Sequence, residues 1–144
     1  MLLSEVCRLW KNILFNAGIL WSSLNRVACP PRFLDLAQGA SLRIQLQRRG
    51  LDPDLSPFRR ILVSNITRVQ ELHIINRIPH RFKLYLDHEL PYAPQLEVLS
   101  LMGSAESPEF FEFTIPELRT LFLCRCPGLP THPLPQLTHL YLSH

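Results

Sequence analysis

Pro94-Gln95-Leu96-x-x-Leu99-x-Leu101, Pro116-Glu117-Leu118-x-x-Leu121-x-Leu123 and Pro135-Gln136-Leu137-x-x-Leu140-x-Leu142 are three copies of one pattern, P-[QE]-L-x-x-L-x-L. An L-x-L pair sends both leucines to one side of an extended strand and the residue between them to the other. One such strand cannot bury its leucines alone, so the copies must stack on one another. Parallel strands laid side by side put the leucines into a shared core and turn the intervening residues onto an open sheet. A surface of that shape is made for gripping a partner.

Outward from these copies, the spacing returns with other aliphatics at Val69-x-x-Leu72-x-Ile74. Ser41-Leu42-Arg43-Ile44-Gln45-Leu46 alternates like a strand. The equivalent positions Ile44, Leu72, Leu99, Leu121 and Leu140 draw closer together along the chain. Early intervals therefore have room for a helix on the return path. Ser56-Pro57 starts one, since serine can cap and proline at the first helical position loses no hydrogen bond. Phe58, Ile61 and Leu62 supply its apolar face. Arg32 to Gln38 is expected as a short helix, and residues 81–90 as another return-path helix, although Lys83-Leu84-Tyr85-Leu86 alternates. The last interval crosses Pro127, Pro130, Pro133 and Pro135, which predicts an extended, turn-rich return.

Upstream, Leu2, Leu3, Val6, Leu9, Trp10, Ile13 and Leu14 form a helical stripe, and Ser4, Glu5, Arg8, Lys11 and Asn12 fill the other face. Gly18 is placed to end this helix as a left-handed cap. A second short helical segment is expected at Ile19-Leu20-Trp21, closing with Ser22-Ser23-Leu24. Cys29-Pro30-Pro31 then breaks the chain. The organisation expected is a helical unit over 1–28 and stacked repeats over 29–144.

The repeated pattern resembles that of leucine-rich repeats. Val6-Cys7-Arg8-Leu9-Trp10-Lys11-Asn12-Ile13, followed by Leu20-Trp21-Ser22-Ser23-Leu24, resembles the second half of an F-box, with its V-C-[RK]-x-W core and later L-W-x-x-[LI]. That order of domains looks most like the fungal F-box-like proteins with irregular leucine-rich repeats. The resemblance implies an α/β chain: a short leucine-rich-repeat solenoid with a parallel sheet, preceded by a helical F-box remnant. It implies the substrate-recognition subunit of a cullin-type ubiquitin ligase, doing no chemistry of its own. Its partners would be the cullin adaptor subunit and a protein substrate. The family's L-P-x-E-[IL] opening does not precede Met1, so the F-box is expected to be N-terminally truncated. Val6, Leu9, Trp10, Ile13 and Trp21 are the adaptor-binding candidates, and the first four are read first as core residues of a helical hairpin, with any adaptor role second. A stand-alone repeat scaffold, or a fragment with no ligase partner, is the alternative.

Composition bounds these readings. With 47% hydrophobic and 19% charged residues over 144 positions, the chain reads as one folded domain rather than a disordered one. A formal net charge of +3, with only Arg48-Arg49 and Arg59-Arg60 as basic doublets, lacks the basic stripe of a nucleic-acid binder. No stretch reaches the ~18 apolar residues of a membrane span, and Glu5, Arg8 and Lys11 interrupt the N-terminal segment. Four cysteines without a secretory signal predict free thiols and a cytoplasmic or nuclear placement.

Candidate chemistry is sparse. Cys124-x-Cys126 with His132 and His139 invites zinc, but the cysteine gap is tight, and Cys126 falls where leucine-rich repeats turn asparagine or cysteine inward. Asp87-His88-Glu89 is merely adjacent in sequence, and no nucleophile, phosphate-loop or metalloprotease motif is present. No cofactor is expected. The candidate site is the open sheet: Glu71, His73 and Ile75, then Val98, Ser100 and Met102, then Thr120, Phe122 and Cys124, then His139, Tyr141 and Ser143. Its central column reads Gln45, His73, Ser100, Phe122, Tyr141. Phe122 above Tyr141 is either a partner's anchor or a pair that covers itself.

Overall fold

A computed structural model describes residues 8–25, 31–48, 56–76, 92–103, 114–126 and 133–143. The helix expected over 81–90, Val6, the Asp87-His88-Glu89 triplet and His132 lie outside these residues. The described elements run α1 (Arg8–Asn16), β1 (Ser23–Asn25), α2 (Pro31–Leu36), β2 (Leu42–Arg48), α3 (Ser56–Asn65), β3 (Val69–Asn76), β4 (Val98–Met102), β5 (Thr120–Cys124) and β6 (His139–Ser143). The strands form one six-stranded sheet in the order β1-β2-β3-β4-β5-β6, every neighbouring pair parallel. Parallel neighbours need a crossover each time, so the chain is carried back to the same end of the sheet before each new strand. The result is a mixed α/β fold.

The register is set by the aliphatics. Leu24, Ile44, Leu72, Leu99, Leu121 and Leu140 stand side by side across all six strands. Leu46, Ile74, Leu101, Leu123 and Leu142 form a second row. A slip of one residue would turn every one of them to water, which pins the alignment. The rows through β5 are buried together with Ala37, Leu62, Ile66, Ala93 and Ile115 from the return segments. One face of the sheet is thus covered and the other left open.

Each P-[QE]-L is a turn. The Leu96 N–H donates to the Ala93 carbonyl at 3.3 Å, Leu118 to Ile115 at 3.4 Å and Leu137 to Leu134 at 3.1 Å. Proline occupies the second turn position, whose φ its ring already fixes, and Gln95, Glu117 and Gln136 project into solvent at the third. The turn aims the chain into the next strand. The Glu97 carbonyl accepts from both Arg119 and Thr120, and the Arg119 carbonyl from both Thr138 and His139, all at 2.9–3.0 Å.

Two expectations for the N-terminal segment change. Ser23–Asn25, read as the close of a helical unit, is instead the first strand of the sheet. Leu24 needs a buried slot, and the core beside Ile44 provides it. Gly18 does not take a left-handed backbone. It opens a 3₁₀ turn, Gly18–Trp21, that lies against the end of α2. A Cβ at Gly18 would stand 2.6 Å from the Ala37 carbonyl oxygen, so close approach is what calls for glycine there.

Arg68 ties α2 to the segment after α3. Its guanidinium donates to the carbonyls of Gln38 and, at 3.4 Å, Leu34, and is itself held by Asn65 Oδ1 at 2.9 and 3.1 Å. Carbonyls at a helix C-terminus have no intrahelical donor, and a cation satisfies them.

Candidate recognition surface

The open face carries three columns of side chains in register. The first is Ser23, Arg43, Glu71, Val98, Thr120 and His139. The central one is Gln45, His73, Ser100, Phe122 and Tyr141, the column expected from the sequence. Gln47, Ile75, Met102, Cys124 and Ser143 make the third.

The two halves of this face differ chemically. Toward β2 and β3 it is polar: Glu71 pairs with Arg43 Nε at 3.3 Å and faces His73 Nε2 at 3.7 Å, a contact that becomes ionic when the imidazole is protonated. Toward β5 and β6 it is aromatic. Phe122 and Tyr141 stack with centroids 4.2 Å apart and planes 6° from parallel, and His139 continues the plane 6.4 Å from Tyr141. The His139 ring is held by Thr138, whose Oγ1 lies 2.8 Å from Nδ1 and 3.1 Å from the Arg119 carbonyl. Stacking does not hide these rings: Phe122 keeps 36% of its surface exposed and Tyr141 49%.

Ser100 departs from the expectation of an open column. It is only 6% exposed, because a small side chain stands in register between His73 on β3 and Phe122 on β5. It forms the floor between the polar and aromatic halves rather than a contact of its own.

The N-terminal candidates divide. Trp10 and Ile13 are half exposed on α1, not core residues. The C-terminal turn of α1 is fastened through Trp21. The Trp21 indole N–H donates to the Leu14 carbonyl at 2.6 Å, and its ring lies parallel to Phe15 and against Phe33 on α2. Leu9 lies in α1. Ile19 and Leu20, on the turn after α1, are also exposed and extend the apolar stretch toward Trp10 in sequence.

Cys124 and Cys126 are free thiols. Cys126 packs against the core, its Sγ 3.5 Å from the Leu101 carbonyl and 3.8 Å from that of Gly103, and burial pushes its pKa up. Cys124 lies in the third column of the open face. Among the described residues no helix is long and apolar enough to cross a membrane. Comparison with protein-family models, with curated proteins and with solved structures returns no match to this chain.

Proposed function

We propose that this chain is a protein-recognition module of the leucine-rich-repeat kind, binding its partner on the open face of the sheet. The observation that carries the reading is the Phe122–Tyr141 stack, exposed on the sheet beside a polar half held by Arg43, Glu71 and His73. Aromatic anchors with a polar surround are the arrangement that concentrates binding energy at protein interfaces.

Within that reading, the chain serves as the substrate receptor of a cullin-type ubiquitin ligase in the cytoplasm or nucleus. It performs no chemistry itself. Trp10 and Ile13, half exposed on α1, are the side chains offered to the adaptor subunit, and the sheet face is offered to the substrate. Trp21 supports a second reading, a stand-alone recognition scaffold, because its ring and N–H are occupied within the chain.

Co-purification of the full chain with the cullin adaptor subunit separates the two. Stoichiometric binding that is lost in Trp10→Ala, with unchanged far-UV circular dichroism, is the expected result for a receptor. Absence of binding by the folded chain overturns the ligase role. The recognition face is tested separately, by cross-linking in cells: partners captured by the unaltered chain should disappear with Phe122→Ala/Tyr141→Ala. Retention of every partner by that variant overturns the assignment of the site.

A further inference from the structure

Ser100 is the one small side chain in the central column, and it is buried while His73 and Phe122 on either side of it are not. Among the described residues its hydroxyl has no hydrogen-bond partner. Ser22, buried to the same degree, donates to the Ile19 carbonyl at 2.8 Å. A buried polar group without a partner costs stability, so its presence calls for a reason.

The spacing of the column leaves room above this serine. Phe122 and Tyr141, on neighbouring strands, stack 4.2 Å apart. His73 and Phe122 are two strands apart, about 9.6 Å at ~4.8 Å per strand, with only Ser100 between them. That interval is about twice one stacked step, which is the space of one flat group. One face of Phe122 lies on Tyr141, which leaves the other turned toward β4. His73 is drawn along its own strand, its Nε2 3.7 Å from Glu71 Oε2. The charge around the recess has one sign. Glu71 is the one formally charged side chain on β3, β4 and β5, its other oxygen paired with Arg43 Nε at 3.3 Å from β2. The face of an aromatic ring is the negative side of its quadrupole.

We propose that the recess over Ser100 takes the guanidinium of an arginine on the protein partner, an inference that rests on the open face being the recognition surface. A guanidinium is flat on both sides, always charged, and carries N–H donors around its edge. Laid over Ser100, it stacks on the free face of Phe122 and continues the row toward His73. One edge N–H donates to Ser100 Oγ, which gives the buried hydroxyl its partner. Another is directed to Glu71, whose carboxylate offsets the charge. A lysine ammonium has no flat face to fill the interval. A phenyl ring fills it but has no donor for the hydroxyl.

The probe is the blocked tripeptide acetyl-Gly-Arg-Gly-amide, titrated into the full chain beside its lysine and citrulline counterparts, with the Phe122 ring and Ser100 followed by NMR. The arginine peptide should move both sets of resonances and bind about threefold more tightly than either counterpart. Ser100→Ala keeps the interval and removes the acceptor, so it should weaken binding about fivefold. Ser100→Tyr places a ring of the chain's own in the interval. It should keep the far-UV circular dichroism and urea midpoint of the unaltered protein and abolish binding. An arginine peptide that leaves Phe122 and Ser100 unmoved overturns the proposal, as does equal binding of the lysine peptide or binding that survives in Ser100→Tyr. A Ser100→Tyr chain that does not fold overturns it too, because the interval then lacks room for a flat group. These readouts sit on Phe122 and Ser100 and are independent of the cross-linked partners. Partners lost with Phe122→Ala/Tyr141→Ala, together with no response to arginine, would remove the arginine recess and leave the recognition face standing.

Discussion

Arg125 and Gly103 stand at equivalent points just after β5 and β4, and both take left-handed backbone, φ 57° and 116°. Gly103 adopts that conformation without a Cβ penalty, while Arg125 bears a cost of ~1–2 kcal/mol. Arg125→Gly relieves it, and the extra freedom of glycine in the unfolded chain returns part of the gain. The net expectation is a stabilisation of about 0.5–1 kcal/mol, read from urea unfolding midpoints. A destabilised variant would mean that the arginine side chain contributes more than its backbone costs. Cys126, the next residue, gives stability a dependence on pH. Burial raises its pKa in the folded chain above the ordinary thiol value, which is ~8.5 unfolded. Below that pH both states hold the proton and the contribution is complete. As pH rises through it the unfolded chain ionises first, so stability falls until the folded thiol ionises too. The stability gap between the unaltered protein and Cys126→Ser should therefore narrow from pH 7.5 upward. A gap constant to alkaline pH would show that the thiol ionises equally in both states.

Elements were legible in the sequence to the degree that they carry repeated leucines. Positions such as Leu99, Leu101, Leu121 and Leu123 define strand, register and buried face at once, because both the period of two and the spacing between copies are visible. The same alternation defines the central column of the open face, from Gln45 to Tyr141. β1 escaped because Ser23–Asn25 has a single inward side chain, Leu24, and three residues hold no periodicity. The burial of Ser100 escaped because it depends on the size of its neighbours across two strands, His73 and Phe122, which alternation does not encode. Gly18 is a special position because of close approach and not because of a left-handed backbone. A glycine after a helix signals either a left-handed cap or a close approach, and only the packed α2 distinguishes them. Gly18→Ala tests the second cause. The obstructing atom is the Ala37 carbonyl oxygen, part of the backbone, so the turn must shift and the expected loss is about 1–3 kcal/mol. Thermal unfolding reads it directly. A neutral result would imply that the Gly18–Trp21 turn moves without disturbing α2.

Across the whole molecule, the energy of the fold is carried by rows of aliphatics that run perpendicular to the strands, so position in the row should decide what each side chain is worth. Leu99 on β4 has core neighbours Leu72 and Leu121 on either side and is 1% exposed. Leu121 on β5 is equally buried, but its outer neighbour is Leu140, which is 49% exposed on the edge strand. A side chain inside a row has close-packed neighbours on both sides, and one on the edge of the described sheet has them on one side only. Truncation to alanine at these three register-equivalent positions holds the chemistry fixed while the surroundings change. Leu99→Ala and Leu121→Ala should each cost about 2–5 kcal/mol, since both open a cavity between close-packed rows. Leu140→Ala should cost less than about 1 kcal/mol, because water already reaches the site. Urea unfolding is the readout. A Leu140→Ala loss as large as that at Leu121 would mean that Leu140 is covered in solution.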